Sequence, residues 1–94
     1  MEITLQAIEK AHSNIKDQII NTELSYSRSC SEWVGVDTYL KFENQQRTGS
    51  FKIRGAINKI KTLVDSGNTK NVIAVSAGNH AQGVAQAAFS ICLL

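Results

Sequence analysis

Val72-Ile-Ala-Val75 is four apolar residues in a row, and it runs without a break into Ser76-Ala-Gly-Asn-His80 and then a stretch rich in Ala and Gln. A short continuous apolar run is typical of a strand buried on both faces, as the strands of parallel sheets are. Followed at once by a glycine turn and helix formers, it reads as a strand-to-helix junction. That junction constrains the fold more than any other feature of the chain.

Upstream patterns agree with it. Leu5, Ile8, His12, Ile15 and Ile19 recur in steps of three and four, one stripe of an amphipathic helix. His12 lies on or beside that stripe and reads as packing rather than chemistry. Asn21 to Ser31 is rich in Ser, Thr, Asn and Arg and reads as loop. Val36, Thr38, Leu40 and Phe42 alternate with polar neighbours, the period of a strand. Ile53, Ala56, Ile57, Ile60, Leu63 and Val64 return to helical spacing. Ser50 is placed to cap that helix, and Gly67 or Asn68 to end it in a left-handed turn. Helix, strand, helix, strand, helix predicts an α/β protein with a mostly parallel sheet. No proline interrupts any of these segments.

Composition removes several functions. A net charge of +2 is too small to imply nucleic acid, and no aromatic residues alternate in a stacking pattern with the Lys and Arg cluster between 41 and 61. A solvated helix face explains that cluster. Cys30 and Cys92 share no metal-ligand spacing, so neither a zinc site nor a disulfide framework is expected. The start lacks a basic, then apolar, secretory signal, and no apolar run approaches a membrane span. The cytoplasm is the expected compartment. A chain of 94 residues buries only about 60–65% of its unfolded surface, which makes it marginal by itself.

Two segments carry chemistry. In Lys41-Phe-Glu-Asn-Gln-Gln-Arg-Thr-Gly-Ser-Phe-Lys52-Ile-Arg-Gly55 a strand ends, a polar turn follows, and a lysine lands in the first turn of a helix. The positive end of the helix dipole disfavours an ammonium there, and Phe51 beside it would add desolvation in the same direction. Both favour the free amine that a Schiff base requires. In Ser76-Ala-Gly-Asn-His-Ala-Gln-Gly83, Gly78 lets backbone approach a ligand and the helix start offers N–H groups to an anion. A carboxylate is the natural occupant. Either segment alone has a bland reading, a surface lysine or an ordinary turn.

Together, in this order, they resemble the fold-type-II pyridoxal-phosphate enzymes, specifically the threonine/serine dehydratase and serine racemase group. The group's block Lys-(Phe/Cys)-Glu-Asn-x-Gln-x-Thr-Gly-Ser-Phe-Lys-x-Arg-Gly carries the Schiff-base lysine. Its Ser-x-Gly-Asn-His-(Ala/Gly)-Gln loop binds the substrate carboxylate. The match covers about Val36 to Gln86, with Thr22-Glu-Leu24 fitting more loosely.

The resemblance implies that Lys52 holds pyridoxal 5'-phosphate as a Schiff base and then serves as base for the substrate Cα proton. It places Phe51 against the pyridine ring and Asn79 on the cofactor's 3'-oxygen. It puts Ser76, Gly78, Asn79 and His80 around the carboxylate and leaves Thr48 and Ser50 to shape the turn. No metal is implied. The expected reaction is β-elimination of L-threonine or L-serine to a 2-oxo acid and ammonia. Serine racemases of the eukaryotic type carry a second serine where this chain has Ala77, which favours elimination over racemisation.

It also implies that residues 1–68 begin the large cofactor domain and 69–94 a small domain, within a homo-oligomer. The family's glycine-rich phosphate loop, and the Ser or Cys facing the pyridine nitrogen, have no counterpart in these residues. Phe89-Ser-Ile-Cys-Leu-Leu94 departs from the family's polar helix face. It reads as a buried helix terminus or as a truncated or frame-shifted product. By itself the chain is expected to be inactive and self-associating, or to dock on a full-length relative.

Overall fold

A computed structural model describes residues 2–67 and 71–91. Four helices, a two-stranded sheet and two short 3-10 turns make up the described chain.

Helix α1 (Leu5–Ile15) starts at Thr4, whose Oγ1 accepts the Ala7 N–H at 3.1 Å. That bond supplies one of the first-turn donors with a partner. The helix ends earlier than the stripe suggests, and only Ile15 of α1 is buried. Leu5 and Ile8 are exposed, while Ile19, beyond the helix, packs partly against the core.

The segment expected to be loop contains strand β1 (Leu24–Tyr26) and helix α2 (Arg28–Val34). Ser27 Oγ accepts the Cys30 N–H at 3.3 Å, and Gly35 closes α2 in the left-handed region at φ 81°. Those two caps hold a seven-residue helix that has no apolar stripe to betray it. Strand β2 (Tyr39–Lys41) pairs antiparallel with β1, placing Leu24 opposite Lys41 and Tyr26 opposite Tyr39. Backbone bonds from Phe42 N–H to Glu23 O and from Ser27 N–H to Thr38 O carry the pairing one step further at each end. The two tyrosine rings meet nearly edge to face, 5.6 Å apart.

Helix α3 (Lys52–Asp65) buries Ile53, Ala56, Ile57 and Ile60 as its spacing predicts. Gly67, at φ 72°, ends it, its N–H donating to Val64 O at 2.9 Å. Only glycine enters that region without steric cost. Asn68, the alternative cap, lies outside the described residues. Helix α4 (Asn79–Ser90) lays Gly83, Ala87 and Ala88 on α3. The core is therefore Ile15 of α1, the four buried residues of α3 and Ala87 of α4. Ile53 and Ile57 are fully buried, each worth roughly 1.5–3 kcal/mol.

Residues 72–76 belong to no strand among the described residues. Val72 and Ala74 face α4, whereas Ile73 and Val75 are 94% and 95% exposed. The period of a strand is present and the burial of both faces is not. A strand takes its hydrogen bonds and its second face from neighbours, and the one sheet described, β1–β2, lies elsewhere. At the end of α4 Phe89 is 67% exposed, whereas Ile91 packs partly against the core. Cys92 to Leu94 lie outside the described residues.

Candidate active site

Lys52 stands where the sequence places it, at the first turn of α3. Ser50 is extended (φ −154°, ψ 166°) while Phe51 already has helical angles, so the chain turns into the helix at this pair. Ser50 Oγ accepts the Lys52 N–H at 3.4 Å, the weak cap expected of it. Phe51 is 60% exposed and lies 5.3 Å from the Lys52 Nζ, measured to the ring centroid. It contacts the amine without enclosing it, so the expected desolvation by Phe51 is not formed in this chain.

The turn before Lys52 is tightly specified. Thr48 has φ 64°, and Gly49 follows at φ 73°. A β-branched residue in this region is unusual and costs on the order of 1–3 kcal/mol. Thr48 Oγ1 is moreover buried with no hydrogen-bond partner. Gln46, 4% exposed, ties the turn down: its side chain accepts from Ile20 N–H and donates to Ile20 O, both at 2.8 Å. Lys41 Nζ donates to Thr22 O at 2.6 Å.

Glu43 and Arg54 are the site's strongest polar pair. The guanidinium donates to both carboxylate oxygens, at 2.7 and 2.9 Å, and the Thr22 hydroxyl donates to the same carboxylate. The Arg54 hydrogen bonds, opposed by burial and aided by Thr22, lower the Glu43 pKa from its ordinary 4.5 to about 2. Neither residue stands out in the sequence as chemistry. Their place in the lysine block, eleven residues apart across a turn, is the only signal they leave.

The second segment is one helix away. Ser76 Oγ accepts the Gly78 N–H at 3.1 Å, so this hydroxyl shapes the turn itself. Asn79 and His80 open α4 and are exposed. α4 meets α3 at Gly83, where an added Cβ would lie 3.2 Å from Ile53 N and 3.3 Å from the carbonyl carbon of Lys52. Asn79 shares the face of Gly83 and precedes it by about 6 Å of helix. The Asn79 end of α4 and the Lys52 turn are thus neighbours, and Ser76 and Gly78 lie just before it. A groove of about 650 Å³ between α1 and α3, lined by Ile8, His12, Ile15 and Asn58, contains none of these residues.

The Lys52 amine and the exposed Phe51 ring beside it suit an aromatic aldehyde, and among the described residues no carboxylate pairs with that amine. Among the described residues no cluster of side chains could hold a metal ion, and no helix is long and apolar enough to cross a membrane.

Comparison with known proteins reaches the same class. The model of the pyridoxal-phosphate dependent enzyme family matches residues 15–89, and the chain belongs to that family. It is 54% identical over 86 residues to an L-threonine ammonia-lyase of Thermotoga maritima, covering 92% of this chain and 21% of that protein. It is 46% identical over 84 residues to the catabolic L-threonine dehydratase of Escherichia coli K12, covering 89% and 26%. The serine racemase structure from Dictyostelium discoideum superimposes with a TM-score of 0.83 at 39% identity, over 96% of this chain and 30% of that one. The fold is that of the fold-type-II α/β pyridoxal-phosphate enzymes. The chain spans about a quarter of the length of these relatives.

Proposed function

We propose that this chain carries the lysine and carboxylate-binding segments of an enzyme that eliminates water from L-threonine and L-serine, giving a 2-oxo acid and ammonia. The approach of Gly83 to the Lys52–Ile53 backbone supports this most directly, because it packs α4 against the helix turn that carries Lys52. The relatives named as threonine ammonia-lyase and dehydratase support the substrate class.

In this reading Lys52 is the residue that would hold pyridoxal 5'-phosphate, through its amine. When bound, the cofactor supplies an electron sink for negative charge at the substrate Cα. Lys52 would be the base that takes the substrate Cα proton. Phe51 offers its ring as a face for the pyridine, and Asn79 its amide to the ring oxygen. Ser76, the Gly78 N–H, Asn79 and His80 orient the substrate carboxylate. Ala77 has no proton to deliver to the opposite face of Cα, so loss of the β-hydroxyl is favoured over return of the proton.

The division into 1–68 and 69–94, a homo-oligomeric assembly and a cytoplasmic site of action belong to the same proposal. In this chain the two parts share one core through α3 and α4. A second reading is a chain without activity of its own that docks on a full-length relative; the exposed Ile73 and Val75 favour it. A racemase, suggested by the serine racemase likeness, would interconvert serine enantiomers without forming pyruvate.

The test is incubation of the purified chain with pyridoxal 5'-phosphate, borohydride reduction and peptide mapping. Label concentrated on Lys52, and absent in Lys52→Ala, supports the assignment. Label spread over the lysines alike removes it.

A further inference from the structure

We propose that Glu43 is a positioning residue for Lys52, acting through Arg54 to hold the first turn of α3 so that the amine has one direction and no carboxylate partner. The inference rests on the reading of Lys52 given above.

Arg54 lies two residues beyond Lys52, in the same first turn. Its planar fork meets both oxygens of Glu43, a geometry that fixes orientation as well as distance. Glu43 is itself anchored. It takes the Thr22 hydroxyl, and Gln46 clamps the same turn to Ile20 from the other end. A continuous polar chain therefore runs from residues 20–22 through Glu43 to the helix turn that carries the lysine. On the opposite flank, Gly83 packs against the backbone of Lys52 and Ile53. The lysine backbone is held from two sides, and among the described residues its Nζ meets only the Phe51 ring.

The pairing also disposes of an acid. Glu43 is the half-buried carboxylate of this turn, and its side chain is 15% exposed. Bound by three donors, it has little accepting capacity left. Without Arg54 it could pair with a lysine nearby and hold that amine protonated. Arg rather than Lys suits the task, because only the fork occupies both oxygens.

The experiment has two readouts on the full chain. One is the share of borohydride-trapped pyridoxyl label on Lys52 relative to Lys41, Lys59 and Lys61. The other needs no cofactor: hydrogen exchange of the Arg54 amide, which donates to Phe51 O at 3.0 Å, against the Ile57 and Ile60 amides as controls. Glu43→Gln keeps the shape and removes the charge. It should lower the Lys52 share by roughly threefold or more and speed Arg54 exchange about tenfold, with the controls unchanged. Arg54→Gln should do the same, and the double variant should be no worse than either single.

An unchanged label share in Glu43→Gln, unchanged Arg54 exchange, or additive effects in the double variant would overturn the role of Glu43 while leaving Lys52 as the cofactor lysine. Uniform labelling of the unaltered chain overturns the reading of Lys52 first, and the positioning role with it. Should Glu43→Gln unfold, seen as fast exchange at Ile57 and Ile60 too, Arg54→Lys decides by the same two readouts, since it keeps the charge and loses the fork.

Discussion

Gly83 and Ile53 touch through their backbones: a Cβ at residue 83 would stand 3.2 Å from the Ile53 nitrogen. The contact is what lets the helix begun by Lys52 and the helix opened by Asn79 share one surface. Backbone cannot step aside as a flexible side chain can. Alanine at 83 sets a helix-propensity gain of about 1 kcal/mol against a shift of a few tenths of an ångström, so Gly83→Ala should change stability little. Gly83→Val adds two methyls to a closed contact and should cost about 2–3 kcal/mol. Urea midpoints of the two variants check this, and equal midpoints would show that α4 does not pack as described.

The Glu43 carboxyl titrates at about 2 in the folded chain, against an ordinary 4.5. Its folded-state value is the lower one, so its contribution to stability is complete above about pH 4.5 and disappears as pH falls toward 2. The loss is on the order of 2 kcal/mol, discounted for partial solvent screening. Glu43→Gln should flatten that part of the stability–pH curve while lowering stability at neutral pH. Denaturant melts between pH 2 and 7 measure both effects.

Ile57 is fully buried at the centre of the core. Ile57→Ala should cost about 2–5 kcal/mol, a large share of what a chain this small can hold in reserve. Far-UV circular dichroism should show loss of a cooperative transition. Leu5→Ala, at a residue 66% exposed, should leave the transition in place.

Ile73 and Val75 present an uncharged, extended and unpaired face, the kind of edge that recruits another chain. The chain is expected to self-associate at micromolar concentration. Ile73→Lys with Val75→Lys should shift sedimentation toward monomer with little change in melting temperature. A wild-type chain that sediments as a monomer contradicts the expectation.

Helix α3 was legible from the letters because its apolar spacing and its caps, Ser50 and Gly67, are local. The lysine turn was legible for the same reason, down to Lys52 in the first turn. Helix α2 was missed because its residues are polar or exposed, Trp33 at 88% among them, so no burial pattern marks it. Only Ser27 and Gly35, at its two ends, could have shown it. The Val72–Val75 run was read as a strand buried on both faces, and one face found no cover among the described residues. Leu5 and Ile8 likewise keep helical spacing without a partner to bury them.

Local chemistry in the chain was enough to determine where α3 starts and stops, which lysine begins it, and which glycine turn precedes α4. Tertiary structure alone decided that Glu43 spends its charge on Arg54, that Gln46 grips Ile20, and that Gly83 stands against Ile53. Capping and periodicity act over a few residues and leave their mark in consecutive letters. The pairing of groups distant along the chain depends on how helices approach one another, and that is settled only once the core has closed.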